Sequence, residues 1–425
     1  MEFIRGIIGL AGLLGIAYAL SNNRRKVSGR VVAWGLGLQL VLGLFLLKTA
    51  LGKTIFDAAN TAIITLLGFS EKGASFVFGN LINATLEVSG ADGTLVGKAA
   101  LGTAFFAFKV LPTIIFFSAL MSILYYLGVM QVVIEGFARL MSKTMRTSGA
   151  ESLSVAANIF VGQTEAPLVV RPYVSKMTKS ELMAVMAGGF ATVAGGVMAA
   201  YVGFLKDSIP DIAGHLMTAS IMSAPAALVM AKIMYPETAI SKTAGHVKIS
   251  IPKTDANIVD AAASGTLKGL ELALNVGAML IAFIALVHMC DGILGWASGY
   301  VLAQPLTLQK ILGGLFAPLA WLIGAPWADA AALGHLLGTK VIINEFVAYV
   351  DLGAKAAVFT SQKTAIIASY ALCGFANVSS IGIQLGGIGG IAPDRRHDLA
   401  VIGPRALVAG ALASFMTATI AGFLV

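Results

Sequence analysis

Runs of apolar residues recur along this 425-residue chain, each about 20 residues long and so able to cross the roughly 30 Å of bilayer hydrocarbon. They predict spans over Phe3–Leu20, Val31–Thr49, Ala100–Val129, Leu182–Leu205, His215–Tyr235, Leu270–Leu294, Ala365–Gly390 and Leu399–Phe423. Thr54–Leu67 has apolar residues at helical spacing beside Lys53 and Asp57, the pattern of a helix lying in the membrane interface. Val132–Met145 and Leu308–Leu322 repeat that pattern more weakly.

The pattern breaks at Glu151–Tyr173, which has the length of one crossing but is interrupted by Gly162 and Pro167. Polar side chains, Asn158, Gln163, Thr164 and Glu165, collect near its middle. Folded as a hairpin, each arm of roughly 10 residues reaches the bilayer midplane at about 1.5 Å per residue. Irregular backbone at that depth is tolerated only where protein or a cavity covers it, so a re-entrant hairpin is expected.

Charge fixes the sides. Arg139, Lys143, Arg146, Arg171, Lys176 and Lys179 bracket the hairpin and place both its ends in the cytoplasm, because basic loops stay inside. Asp207 and Asp211 then fall outside, while Lys242, Lys248, Lys253, Arg395 and Arg396 return inside. The apolar start could pass for a signal peptide ending IAYAL. Arg24, Arg25, Lys26 and Arg30 follow at once, however, and resist translocation. The topology that satisfies all of this has eight crossings with both termini outside.

The chain also repeats itself. GGFATVAGG, Gly188 to Gly196, is matched in register by CGFANVSSI, Cys373 to Ile381, and QTEA upstream of the first answers INEF upstream of the second. Three crossings separate the two copies, so the second enters from the opposite face. Inverted repeats with interrupted helices meeting at the midplane mark secondary transporters. The expected fold class is an all-α polytopic membrane protein with eight transmembrane helices and two opposed re-entrant hairpins.

Composition agrees: 57% of residues are hydrophobic and only 12% charged, about half the charge of a soluble domain. The net charge of +8 sits in short loops and is read as membrane orientation rather than nucleic-acid binding. Cys290 and Cys373 lie in separate apolar segments and are expected as free thiols, not a disulfide.

Two carboxylates near the midplane, Glu165 and Glu345, each cost roughly 2.5–3.5 kcal/mol on insertion scales and call for a polar partner. Carboxylate and amide together suit a solute bearing hydroxyls and amides, such as a nucleoside with its flat base and sugar diol. A helix broken at Gly162, and another loosened at GGFATVAGG, free backbone carbonyls. With the Asn158 side-chain oxygen, the Thr192 hydroxyl and the carbonyls near Val161 and Val193, they form a set of neutral oxygens suited to sodium. Other roles stay open: either glutamate can be a structural tie between helices, Asn377, Ser379 and Ser380 can be interhelical glue, and Phe190 and Phe375 can be packing residues. GTLVGKA, Gly93 to Ala99, imitates a phosphate loop with the wrong glycine spacing. H-E-x-x-H and G-x-S-x-G are absent, and no motif activates a nucleophile, so no enzyme is expected.

GQTEAPLVVRPYV, NEFVAYVDL, CGFANVSSIGIQLGGIG and LALNVGAMLIAF closely resemble the concentrative nucleoside transporter family in its bacterial, sodium-coupled branch, over essentially the whole chain. The resemblance implies a homotrimer in the cell (inner) membrane among lipids, importing nucleosides such as uridine, cytidine and adenosine with sodium as coupling ion and no other cofactor. Each protomer would divide into a scaffold and a transport domain that moves as an elevator. By position, residues 1–130 would be mainly scaffold and 131–235 the first transport-domain repeat; 236–307 would be a loop and scaffold span, and 308–425 the second repeat. Gln163, Thr164, Glu165 and Val197 would contact the base, Glu345, Asn377 and Ser380 the ribose, and Phe375 and Leu272 would line the base pocket. Asn158, Val161, Thr192 and Val193 would hold sodium. Thr192 stands where the family pattern has Ser, which keeps the hydroxyl. A proton carried by a titrating Glu165 or Glu345 is the alternative coupling, and an intramembrane enzyme acting on a nucleoside-like substrate is the alternative class.

Overall fold

Helix after helix follows the apolar pattern in the computed structural model, which describes residues 2–83, 85–89, 94–100, 106–243, 255–300, 304–356 and 359–425. The first part runs α1 (Glu2–Ala19), α2 (Gly29–Lys48), α3 (Ala50–Phe78), a two-stranded antiparallel hairpin of β1 (Thr85–Ser89) and β2 (Leu95–Ala100), α4 (Phe106–Lys109), α5 (Leu111–Tyr126) and α6 (Val129–Met145). The middle comprises α7 (Gly149–Ala157), α8 (Arg171–Val174), α9 (Lys179–Ala191), α10 (Gly195–Leu205), α11 (Ile212–Met234) and α12 (Ile258–Ser298). The last part is α13 (Leu308–Leu322), α14 (Trp327–Ile342), α15 (Glu345–Lys355), α16 (Gln362–Leu372), α17 (Val378–Ile391) and α18 (Arg396–Leu424).

Three expectations are revised. The third span does not begin at Ala100: that residue ends β2, and the first helical residue described after it is Phe106. Apolar Leu, Val and Ala continue a strand as readily as a helix, so periodicity alone misplaced the boundary. The same strand holds Leu95 to Ala99 of the phosphate-loop look-alike. The interfacial segment Thr54–Leu67 belongs to one 29-residue helix, α3, which is long and apolar enough to cross a membrane. Its polar contacts, however, converge on one stretch of chain. Asn60 contacts Asp211 and the Gly214 amide, and Glu71 pairs with Lys206 at 3.1 Å. These two residues lie about 16 Å apart along the helix, yet both meet the connection between α10 and α11. Finally, the seventh span is not continuous over Ala365–Gly390; it is split into α16 and α17 by Cys373–Asn377. Lys248, Lys253, Gly93 and residues 101–105, which entered the sequence reading, lie outside the described residues.

Burial separates the helices into two populations. In the apolar windows of α9–α10, α11 and α18, 89% of residues are buried, against 22% for the α4–α5 stretch and 17% for α12. The first group forms a protein-lined core, and the second leaves apolar faces for lipid or another chain. α5 packs along α12, while α18 packs on α9, α11 and α16.

The two segments expected as hairpins each consist of short helices joined by an irregular turn. In the first, α7 starts in a capping box, with the Ser148 hydroxyl taking the Glu151 amide and the Glu151 carboxylate taking the Ser148 amide at 2.7 Å. It ends at Asn158, and the chain returns through a 3-10 turn, Ala166–Val170, into α8. In the second, α14 and α15 are joined by Ile343 and Asn344, and the Asn344 side chain caps α15.

The two broken spans, α9–α10 and α16–α17, touch at their breaks. Gly374 has φ +141°, and a Cβ there would lie 2.6 Å from the Phe190 carbonyl oxygen and 2.9 Å from Ser414 Oγ. Glycine is therefore required twice, for conformation and for approach. Breaks orphan helix-end groups, and here they are satisfied by side chains. Ser414 Oγ donates to Cys373 O at 2.8 Å, Lys340 Nζ to Ala371 O at 2.8 Å, and Tyr349 OH to Ser369 O at 2.7 Å.

Candidate functional site

Glu345 is the first residue of α15, fully enclosed at 3% exposure. Its Oε1 accepts from Tyr201 OH of α10 at 3.0 Å and its Oε2 from Asn377 Nδ2 at 2.8 Å. Asn377 is itself the N-cap of α17: its Oδ1 takes the Ser380 amide at 2.8 Å and the Ser379 hydroxyl at 2.7 Å. The carboxylate thus sits at the positive ends of two half-helices, where aligned peptide dipoles favour an anion. Tyr201 is held by stacking on Tyr349, ring centroids 4.2 Å apart.

The network continues across the molecule. Gln163 Nε2, from the first hairpin, donates to Ser380 Oγ at 3.2 Å, and Gln163 Oε1 accepts from Gln384 Nε2 at 3.0 Å. Gln384 also donates to the Met186 carbonyl of α9 at 3.1 Å. Gly189 makes room for this: a Cβ there would sit 2.8 Å from Gln384 Nε2 and 2.9 Å from Gln163 Cβ. Gln163, Ser380, Asn377 and Glu345 therefore share one buried hydrogen-bonded chain that joins both hairpins through α17.

Thr164 lies beside this chain against Gly387 of α17. Glu165 points elsewhere: it folds back over its own turn, its Oε2 lying where a Cβ on Gly162 would be. It is exposed on the isolated chain, within electrostatic reach of Tyr125 of α5 and Lys268 of α12. Val197 is buried in the first turn of α10, Phe375 is half-buried at the break, and Leu272 is half-buried on α12.

Of the four residues read as cation ligands, Asn158 and Thr192 are brought together around Gly188. Asn158 Nδ2 donates to Ser154 O at 3.1 Å, while its Oδ1, fully buried, has no partner among the described residues. The Thr192 hydroxyl donates to Gly188 O at 2.9 Å and keeps its lone pairs. A Cβ on Gly188 would lie 3.5 Å from Asn158 Nδ2. Val161 and Val193 lie in the adjoining non-helical backbone, at the hairpin turn and in the break of the fourth span. An orphaned buried amide oxygen is a costly arrangement without a ligand and fits a hard cation. Among the described residues, no group of three His, Cys, Asp or Glu is placed to hold a transition metal.

Tyr201, Gln384 and Lys340 were not singled out from the sequence. Gln384 and Lys340 carried a signal, being polar side chains inside apolar segments; Tyr201 carried none.

Models described as Na+ dependent nucleoside transporter N-terminus and C-terminus match residues 8–81 and 215–422, and a nucleoside-recognition gate model matches 107–208. An uncharacterized transporter of Haemophilus influenzae is 44% identical over 430 residues, covering 100% of this chain and 98% of its own. Sodium/nucleoside cotransporter 1 of Mus musculus is 43% identical over 438 residues, covering all of this chain and 64% of its own. The structure of CNTnw in an inward-facing, substrate-bound state superposes with a TM-score of 0.89 at 44% identity, covering 100% of this chain and 98% of that one. These relatives are transporters rather than enzymes, and this multi-pass membrane chain belongs to the concentrative, Na+ dependent nucleoside transporter family.

Proposed function

We propose that the chain imports nucleosides by sodium symport. The observation that carries this reading is the buried Glu345–Asn377–Ser380–Gln163 chain, which places an anionic acceptor and two amides on both hairpins and one broken span. A ribose diol donates to the Glu345 carboxylate, an acceptor-only group, while Asn377 and Ser380 complete the sugar site. Gln163, Thr164 and Glu165 read the edge of the base, with Val197, Phe375 and Leu272 forming its apolar walls. Uridine, cytidine and adenosine are the expected cargo.

Sodium sits between Asn158, Val161, Thr192 and Val193 and orders the first hairpin against the broken fourth span. Because Gln163 lies five residues beyond Asn158 on the same turn, ion binding prepares the base site. Residues 131–235 and 308–425 form the moving transport domain, with 1–130 and 236–307 mainly the scaffold of a homotrimer. The exposed apolar faces of α5 and α12 support that division.

Radiolabelled uridine uptake into proteoliposomes under an imposed sodium gradient tests the reading. Accumulation should be sodium-driven and largely abolished by Glu345→Gln. Undiminished uptake with sodium replaced by choline at fixed pH would favour proton coupling, and chemically altered uridine inside the vesicles would favour an enzyme.

A further inference from the structure

A cavity of ≈ 720 Å³ opens between the start of α2, α6 and the base of the first hairpin. It shares no residue with the nucleoside and cation sites. Six cationic side chains line it, Lys26, Arg30, Arg139, Lys143, Arg146 and Lys232, against three carboxylates. Each carboxylate is already engaged. Glu135 pairs with Arg139 at 2.5 Å, and Glu151 pairs with Lys232 at 2.7 Å. Glu237 accepts from the Thr178 hydroxyl at 2.7 Å and the Ala239 amide at 3.1 Å.

The remaining cations are unsatisfied. Lys26, Lys143 and Arg146 make no side-chain hydrogen bond or ion pair among the described residues, and Arg30 spends only its Nε, on Thr144 O at 3.1 Å. Like charges gathered around one cavity repel unless an anion joins them. Arg139 and Lys143 lie one turn apart on α6, and Arg146 follows as its C-cap, with φ 56°.

The surroundings distinguish the source of that anion. Leu140 and Val132 of α6 are exposed at 42% and 73%, and Trp34, one turn beyond Arg30 on α2, at 49%. Apolar side chains and an interfacial tryptophan next to unpaired cations match the layering of a leaflet, with acyl chains below and phosphate above. Basic pockets between helices on the cytoplasmic side, where the leaflet is anionic, take lipid headgroups. We propose that this cavity is a binding site for the phosphodiester headgroup of an anionic phospholipid, held by Lys26, Arg30, Lys143 and Arg146.

Native mass spectrometry of the purified full chain, titrated with phosphatidylglycerol and with phosphatidylcholine of the same acyl chains, tests this. Phosphatidylglycerol should bind at least about tenfold more tightly, and Lys143→Gln/Arg146→Gln should weaken it by about 10- to 30-fold. Lys143→Arg/Arg146→Lys should restore it, and Lys53→Gln, outside the cavity, should leave it unchanged. Equal affinity for the two lipids in the wild-type protein would overturn the assignment, whether or not the double variant folds. Full displacement of phosphatidylglycerol by millimolar glycerol phosphate or inorganic phosphate would overturn it too, assigning the cavity to a soluble anion.

Discussion

At the scale of single residues, the site depends on side chains that hold other side chains. Tyr201 shows this most directly, since its hydroxyl occupies Glu345 Oε1 while its ring stays stacked on Tyr349. Tyr201→Phe removes the hydroxyl and keeps the stack. A hydrogen bond to a charged group contributes about 1.5–3 kcal/mol, so uridine KM should rise about tenfold or more while the amount of folded protein is unchanged. An unaltered KM would show that Glu345 is oriented by Asn377 alone. The sequence made Glu345 and Asn377 visible because each is polar within an apolar repeat. It hid Tyr201 because its partner lies 144 positions away and a tyrosine in an apolar segment is unremarkable as a core residue. Gln384, 221 positions from Gln163, escaped for the same reason, although an amide deep in an apolar span was itself a signal.

Among the elements, the interrupted helices are where pattern and structure part most informatively. Hydrophobic periodicity reports which residues avoid water, and a broken helix in the membrane avoids water as fully as a continuous one. The break at Thr192–Ala194 was legible through the cluster of small residues around it. The break at Cys373–Asn377 falls inside the span predicted over Ala365–Gly390, although Gly374 and Asn377, the residues that make it, stand in the repeat. What the pattern lacked is the contact that fixes the conformation, Gly374 against the Phe190 carbonyl. Gly374→Ala must place a Cβ at positive φ and into that carbonyl, at a cost of about 1–3 kcal/mol for the backbone conformation alone. It should lower the thermal unfolding temperature of the detergent-solubilised protein and reduce uptake. Gly386→Ala, in the same span half but with open space at its Cβ, should leave stability unchanged or raise it by about 0.5–1 kcal/mol. If the two variants melted alike, the contact between the breaks would not be holding the spans together.

On the scale of the whole molecule, the contrast between a buried core of α9–α11 and α18 and the exposed α5 and α12 divides what must stay protein-lined from what can face lipid or a neighbour. A solute site carried by that core, and moved through the membrane with its ion, would also carry net charge, because the proposed cargo is neutral and sodium is not. Moving one charge across the membrane is worth about 2.3 kcal/mol per 100 mV, equivalent to about 50-fold in an equilibrium ratio. Proteoliposomes with equal sodium on both sides, given an inside-negative potassium diffusion potential of about 100 mV, should therefore accumulate uridine, up to that ratio for one sodium per uridine. The potential acts on the charge balance of the cycle and not on sodium supply, so it separates coupling from mere sodium dependence of binding. If uptake required sodium yet the potential produced no accumulation, the sodium proposed at Asn158 and Thr192 would be a structural ion held in place, and the symport reading would fail while the nucleoside site stood.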